Sequence, residues 1–196
     1  IDIGIIGDAS SVCDQILNKV EYGKIEQQRF RDIQLCKNNW ENDLNEMTLN
    51  SISKNDTERI PPREILMSLS KAMPENAIVS TDIGNICSLS NSYLNFNRPR
   101  SFLAAMTFGS CGYALPAVMG AKIASPNRPC IAYVGDGAWG MSMNEILTSV
   151  RENIPVTAVV FNNQQWGAEK KNQVIWYGDR YIGTQLNNPS FAKIAE

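Results

Sequence analysis

The stretch from Gly135 to Asn163, GDGAWGMSMNEILTSVRENIPVTAVVFNN, constrains the fold more than any other part of the chain. It reads as one strand–helix–strand unit with a polar residue at each end. The apolar run Cys130-Ile131-Ala132-Tyr133-Val134 stops at Gly135, and Val156 to Phe161 forms the next such run. Neither run alternates with polar residues, as expected of strands covered on both faces in a parallel sheet. A right-handed crossover returns the carboxyl ends of two such strands to one edge, so Asp136 and Asn163 are predicted to converge. One carboxylate and one amide oxygen suit magnesium, a hard cation that takes few protein oxygens and completes its shell with phosphate and water. Gly135 and Gly137 are read as letting the backbone turn tightly and approach a phosphate, with the N–H groups of the following helix start facing the anion.

GDG followed at this interval by a double asparagine, with Ile154-Pro155-Val156 between them, resembles the cofactor motif of the thiamine-diphosphate-dependent enzymes, in the acetolactate synthase and pyruvate decarboxylase group. The resemblance implies thiamine diphosphate and Mg2+ as cofactors. It implies that Asp136 and Asn163 ligate the metal through side chains and Gln165 through its backbone carbonyl. Gly137, Ala138 and Trp139 would lie against the diphosphate, the last two offering backbone N–H groups.

Two further segments extend the resemblance. Thr81-Asp82-Ile83-Gly84-Asn85 follows the short apolar strand Ala77-Ile78-Val79 and resembles the second diphosphate contact, with Gly84 and Asn85 as the contacts; Asp and Asn in such turns also act as helix caps or local hydrogen-bonding groups. Gly109-Ser110-Cys111-Gly112-Tyr113-Ala114-Leu115-Pro116 resembles the loop and helix that hold the aminopyrimidine. There the Gly109 carbonyl and the Cys111 N–H would meet the pyrimidine edge, and the Cys111 side chain would wedge the cofactor into its bent shape. Relatives often carry Met, Leu or Ile at that position, so a thiol is a departure.

The segment NNQQWGAEKKNQ after the metal motif turns basic and polar, and it resembles the sulfoacetaldehyde acetyltransferase branch of the family. That resemblance implies an acyl transfer in which sulfoacetaldehyde and phosphate give acetyl phosphate and sulfite. Lys170 and Lys171 are candidate contacts for the two anions; they read equally well as a solvated pair beside Glu169. Two alternatives stand beside the acyltransferase: acetolactate synthase or another 2-oxo acid enzyme of the same cofactor class, and a catalytically silent cofactor-binding fragment. No catalytic residue is assigned within the chain. The glutamate that activates the cofactor in this family is expected in a missing domain, and Glu145 and Glu152 read as helix-stabilising carboxylates.

Residues 1–22, with Val12, Ile16, Leu17 and Val20 at helical spacing after an opening strand, are expected to be the tail of a central domain. Residues 23–59 form a charged link with a helix carrying Trp40, Leu44 and Met47, and 60–196 form a diphosphate-binding domain cut short at its end. Pro62 suits the first turn of a helix that carries Ile65, Leu66, Leu69 and Met73. The expected fold is α/β, a doubly wound and mostly parallel sheet with strands near 77–82, 101–105, 130–135 and 156–162 and helices near 62–73, 85–94, 112–124, 141–152 and 164–175. The family resemblance implies a homodimer or homotetramer, with Trp139, Met141, Met143 and Trp166 as interface candidates. A net charge of −2 without a basic block argues against nucleic acid. No apolar run approaches the ~18 residues of a membrane span, so no membrane partner and a cytoplasmic location are expected. Five cysteines without metal spacing are expected to be reduced, and the absence of histidine excludes a Ser-His-Asp triad within these residues.

Overall fold

A computed structural model of the chain describes residues 3–20, 23, 26–52 and 60–196. Residues 53–59 of the link, and Ile1 and Asp2 of the opening run, lie outside the described residues. The chain divides into two compact units, Ile1–Asn45 and Glu46–Glu196.

The first unit carries helix α1 (Ala9–Lys19) and most of α2 (Gln27–Ile52). Asp8 starts α1 by accepting the Ser11 N–H at 3.0 Å, the usual way a side chain satisfies a helix-start donor. Over residues 3–6 of the isoleucine run no strand forms among the described residues, and Ile3 and Ile6 stand exposed. A strand is held by its ladder, and among the described residues none lies beside this run.

The second unit is the doubly wound sheet. Its strands are β1 (Ile78–Thr81), β2 (Phe102–Ala104), β3 (Cys130–Gly135) and β4 (Thr157–Phe161), parallel throughout and ordered β2-β1-β3-β4. Helix α3 (Pro62–Ala72) has Pro62 in its first turn and packs on α4 (Asn85–Tyr93). On the other face α5 (Ala114–Ala124) covers β1, β2 and β3. There Leu115, Val118 and Met119 meet Ile78, Ala132 and Val134 in the main core. Alternate strand positions point the other way, and Val79 and Tyr133 are fully buried. At the amino-terminal ends of the strands the Arg128 guanidinium donates to the Asn76 carbonyl at 2.7 Å and to Ser101 Oγ at 2.7 Å.

Helix was expected over 141–152. It begins instead at Asp136 and is interrupted: α6 (Asp136–Ser142), a 3-10 turn at Met143–Glu145, then α7 (Ile146–Arg151). The break falls at Ser142, whose φ of −131° and ψ of −3° leave the helical region. Helix α8 (Gly167–Tyr177) starts later than residue 164 for the reason given below, and α9 (Phe191–Ala195) is opened by Ser190. For one interface candidate, Trp139, the expectation is corrected to the core. Trp139 is buried edge-on to Phe191, and Met143 packs on the same core. Trp166 lies against Gly137 within the chain; only Met141 is exposed. Among the described residues, no helix is long and apolar enough to cross a membrane.

The strand order carries the functional consequence. From β1 the chain moves outward to β2, then crosses back over β1 to β3 and outward again to β4. The direction reverses between β1 and β3, and a crevice at the carboxyl ends of such strands is where doubly wound sheets bind ligands.

Candidate functional site

Three strand ends build the site. β1 runs into Asp82-Ile83-Gly84-Asn85, β3 into Asp136-Gly137, and β4 into Asn162-Asn163. The register sets Thr81 beside Tyr133 and Gly135 beside Phe161, which brings these ends to one edge. A cleft of about 250 Å³ opens there. Gly84, Asn85, Cys111, Asp136, Gly137, Ala138, Asn163 and Gln165 all line it. Gly109, Trp139, Lys170 and Lys171 do not. Lys170 instead donates to Gln165 Oε1 at 2.9 Å and sits 5.2 Å from the centre of the Tyr181 ring, while Lys171 is exposed.

Asp136 is the buried charge of this site, 3% exposed. The hydrogen bond it accepts comes from a neutral donor, Asn188 Nδ2, at 2.7 Å from Oδ2. Among the described residues no lysine or arginine pairs with it. A buried carboxylate without a positive partner is costly, and Asn163 and Gln165, which line the same cleft, carry amide and carbonyl oxygens. That donor chemistry fits a small hard cation. Among the described residues no group of three His, Cys, Asp or Glu side chains gathers anywhere, so any bound cation here would draw on amide, carbonyl and ligand oxygens beside the one carboxylate.

The loop after β4 is shaped by its own asparagines. Asn162 Oδ1 accepts the Gln164 N–H at 3.3 Å and Asn163 Oδ1 accepts the Gln165 N–H at 3.2 Å. These successive side-chain turns hold Gln164 at a φ of +59° and delay α8 to Gly167. A second lone pair on Asn163 Oδ1 is left for a ligand. Gly167 allows the close approach: a Cβ there would lie 3.0 Å from Asn85 Nδ2 and 3.2 Å from Asn163 Nδ2. Amide groups from the ends of β1 and β4 thus meet over one glycine.

The two motif glycines sit in different surroundings. Gly135 has an ordinary extended φ of −71°, and the space where its Cβ would go is open. At Gly137 a Cβ would strike the Trp166 indole at 2.7 Å. Gly137 is therefore required by the tryptophan that packs on it, and Gly135 leaves room in front of the backbone without a tight turn. A left-handed backbone occurs at Gly84, with a φ of +104°, where β1 turns into α4.

Asp82 takes the capping role left open for it, toward a helix distant in sequence. Fully buried, it accepts from Gly112 N–H at 2.8 Å and Tyr113 N–H at 3.4 Å through Oδ1, and from Ala114 N–H at 3.0 Å through Oδ2. It satisfies the first turn of α5, whose own N-cap residue Tyr113 makes no side-chain cap. The same bonds fix the loop carrying Cys111. Burial, together with the charges of Asp82 and Glu169, pushes the Cys111 thiol up, so it meets the cleft as a neutral group.

Sequence reasoning missed Asn188, Trp166, Glu169 and the apolar wall of Ile60, Pro62 and Ile65 that comes from the start of α3. The signal for Asn188 was an Asn-Asn-Pro-Ser turn before a helix, which marks a loop without saying what the loop touches.

Residues 82–196 match the family described as thiamine pyrophosphate enzyme, C-terminal TPP binding domain. The chain is 49% identical over 210 residues to sulfoacetaldehyde acetyltransferase of Castellaniella defragrans, covering 100% of the chain and 35% of that protein. It is 50% identical over 215 residues to the same enzyme of Alcaligenes xylosoxydans xylosoxydans, covering 100% of the chain and 36% of the relative. Likeness to acetolactate synthase isozyme 3 large subunit of Escherichia coli is lower, 28% over 200 residues, again 100% of the chain and 34% of the relative. The chain thus spans about a third of the length of the curated relatives it matches.

Proposed function

Given that the chain belongs to the thiamine pyrophosphate enzymes through their C-terminal TPP binding domain, we propose that it is the cofactor-holding part of a sulfoacetaldehyde acetyltransferase. The reaction is that of sulfoacetaldehyde with phosphate to give acetyl phosphate and sulfite. The observation that carries the reading is the convergence of Asn85, Asp136 and Asn163 on one cleft, with Asp136 buried against a neutral donor only. Identity near 50% to two enzymes of that name, against 28% to an acetolactate synthase, favours the acyltransferase over the 2-oxo acid alternative.

On this reading Mg2+ is held by the Asp136 carboxylate, the Asn163 amide oxygen and the Gln165 backbone carbonyl. The diphosphate lies against Gly84, Asn85 and the first turn of α6 at Gly137 and Ala138, where helix N–H groups have no partner within the helix. Thiamine diphosphate, when bound, would supply an electron sink at the aldehyde carbon, the chemistry that lets that carbon lose its proton and the neighbouring carbon–sulfur bond break with release of sulfite. The chain's own residues hold and shield it. Cys111 presents a neutral thiol, and Ile60, Ile65 and Ile83 wall the cleft with apolar surface that keeps water away. Glu145 and Glu152 do not line the cleft, and Glu152 pairs with Arg151 at 2.7 Å. The activating carboxylate is assigned to another part of the enzyme. A second subunit is part of the proposal: Met106, Phe108 and Met141 expose the kind of apolar surface that a homodimer or homotetramer covers. The five free thiols suit a reducing compartment, the cytoplasm.

The test is sulfite release by the full-length protein from sulfoacetaldehyde with phosphate, Mg2+ and thiamine diphosphate, run beside pyruvate. Sulfite matched by acetyl phosphate is the expected result. Pyruvate turnover without sulfite would move the protein to the synthase alternative.

A further inference from the structure

Behind the cleft, outside its lining, one side chain joins the ends of β3 and β4. Asn188 Nδ2 donates to Asp136 Oδ2 at 2.7 Å and to Asn162 Oδ1 at 3.2 Å. Its backbone N–H donates to Gln164 Oε1 at 3.0 Å. We propose that Asn188 is a positioning residue for the divalent cation, setting the orientation of the Asp136 carboxylate and its distance from the loop that carries Asn163. The proposal rests on the reading of Asp136 as a metal ligand.

Two physical requirements point to an amide here. The terminal torsion of an aspartate is broad and close to two-fold, so a buried carboxylate needs an outside partner to fix which oxygen faces the ion. Asn188 takes Oδ2 of a residue that lines the cleft, so Oδ1 is the oxygen left for an ion. The partner must also be neutral, because a lysine or arginine at this distance would cancel the charge that draws the cation. An amide N–H orients without neutralising. Outer partners of metal ligands act in this way, and their loss costs about 10- to 100-fold in metal affinity.

Asn188 is itself held in place. Pro189 restricts it to an extended backbone, and the segment before it is stitched to the ligand loop: Trp166 N–H donates to the Thr184 carbonyl at 2.8 Å and Leu186 N–H to the Gln164 carbonyl at 2.8 Å. Gln185 Nε2 reaches that same carbonyl at 2.8 Å. The return segment 184–188 therefore carries the amide as a rigid attachment to the loop it orients.

The experiment compares full-length wild type, Asn188→Ala, Asn188→Gln and Asp136→Ala. Mn2+ binding is read from the free-ion EPR signal in the presence of thiamine diphosphate, with far-UV circular dichroism as the folding control. Asn188→Ala should raise the Mn2+ Kd by about 10- to 100-fold, with cofactor binding restored at excess metal. Asn188→Gln, which keeps the donor on a longer arm, should recover part of the loss. If the alanine variant does not fold, Asn188→Ser keeps a polar group in the seam but ends one bond short of Asp136, and it should show the same loss. An unchanged Mn2+ Kd in the Asn188 variants, with binding abolished in Asp136→Ala, overturns the positioning role and leaves the metal reading standing. Cofactor affinity lowered equally at every metal concentration also overturns it, since that marks a purely structural part. Unchanged Mn2+ binding in Asp136→Ala overturns the metal reading and the positioning role together.

Discussion

Asp82 and Asp136 end adjacent parallel strands, are buried to 0% and 3% exposure, and do opposite work. Asp82 has both oxygens engaged by backbone N–H groups of Gly112, Tyr113 and Ala114, so its charge is absorbed by the start of α5. Asp136 lines the cleft and accepts from a neutral amide through Oδ2, which leaves Oδ1 without a hydrogen bond among the described residues. The difference teaches how to tell a structural carboxylate from a functional one when both are buried at the same sheet edge. Hydrogen-bond saturation marks the first, and unspent accepting capacity facing a cleft marks the second.

The sharpest way to break this comparison is to remove each carboxylate and ask what is lost. Asp136→Ala should abolish magnesium-dependent binding of thiamine diphosphate, because the carboxylate that would hold the cation is gone. The metal-free protein should unfold within about 1 kcal/mol of wild type, since a buried carboxylate with one neutral partner contributes little to stability. Titration calorimetry with and without Mg2+ checks the first half, and denaturant unfolding the second. Unchanged cofactor affinity would sink the metal assignment.

Asp82→Ala should show the reverse. One buried and two part-buried N–H groups lose their acceptor, and at about 1–3 kcal/mol for a buried donor left unsatisfied the loss should reach about 3 kcal/mol in denaturant unfolding. Cofactor affinity should fall only as far as the loop bearing Cys111 loosens. If Asp82→Ala instead removed the Mg2+ dependence while leaving stability intact, the two aspartates would have exchanged roles.

The same contrast shows what was legible in the sequence. Asp136 and Asn163 could be read as converging because strand–helix–strand handedness fixes which edge their strands end on, and the four strands appeared within a residue or so of their places for the same reason: continuous apolar runs bounded by Gly and Pro. Asp82 was legible as polar at a strand end, but its capping of α5 crosses a gap of some thirty residues, 30 to 32 by the bonds formed. Asn188 lies 52 residues from its carboxylate. Contacts of that kind depend on where whole segments pack, which periodicity does not encode. Gly137 was read as a phosphate-approach glycine; the Trp166 ring adds a constraint from a neighbour visible only in three dimensions. The opening isoleucines promised a strand by composition, yet no ladder exists for them among the described residues.

The smallest expected effect tests whether unsaturated buried polarity elsewhere is merely tolerated. Tyr133 sits on β3, ahead of Asp136, fully buried, with a hydroxyl that finds no hydrogen-bond partner among the described residues. Unlike Asp136 it does not line the cleft. Burial pushes its phenol up to about 12, so the folded protein keeps the neutral form while the unfolded chain ionises near pH 10. A raised pKa in the fold stabilises fully below the unfolded value and is lost as pH climbs toward the folded one. Stability should therefore fall between pH 10 and about 12 by a component that Tyr133→Phe removes. At neutral pH the same variant should be unchanged or more stable by about 1 kcal/mol, because an unpartnered hydroxyl leaves the core without opening a large cavity. Denaturant midpoints of wild type and Tyr133→Phe across that pH range give both quantities. A loss of stability at neutral pH in the phenylalanine variant would mean that the hydroxyl is bound after all and belongs with Asp82 among the satisfied groups.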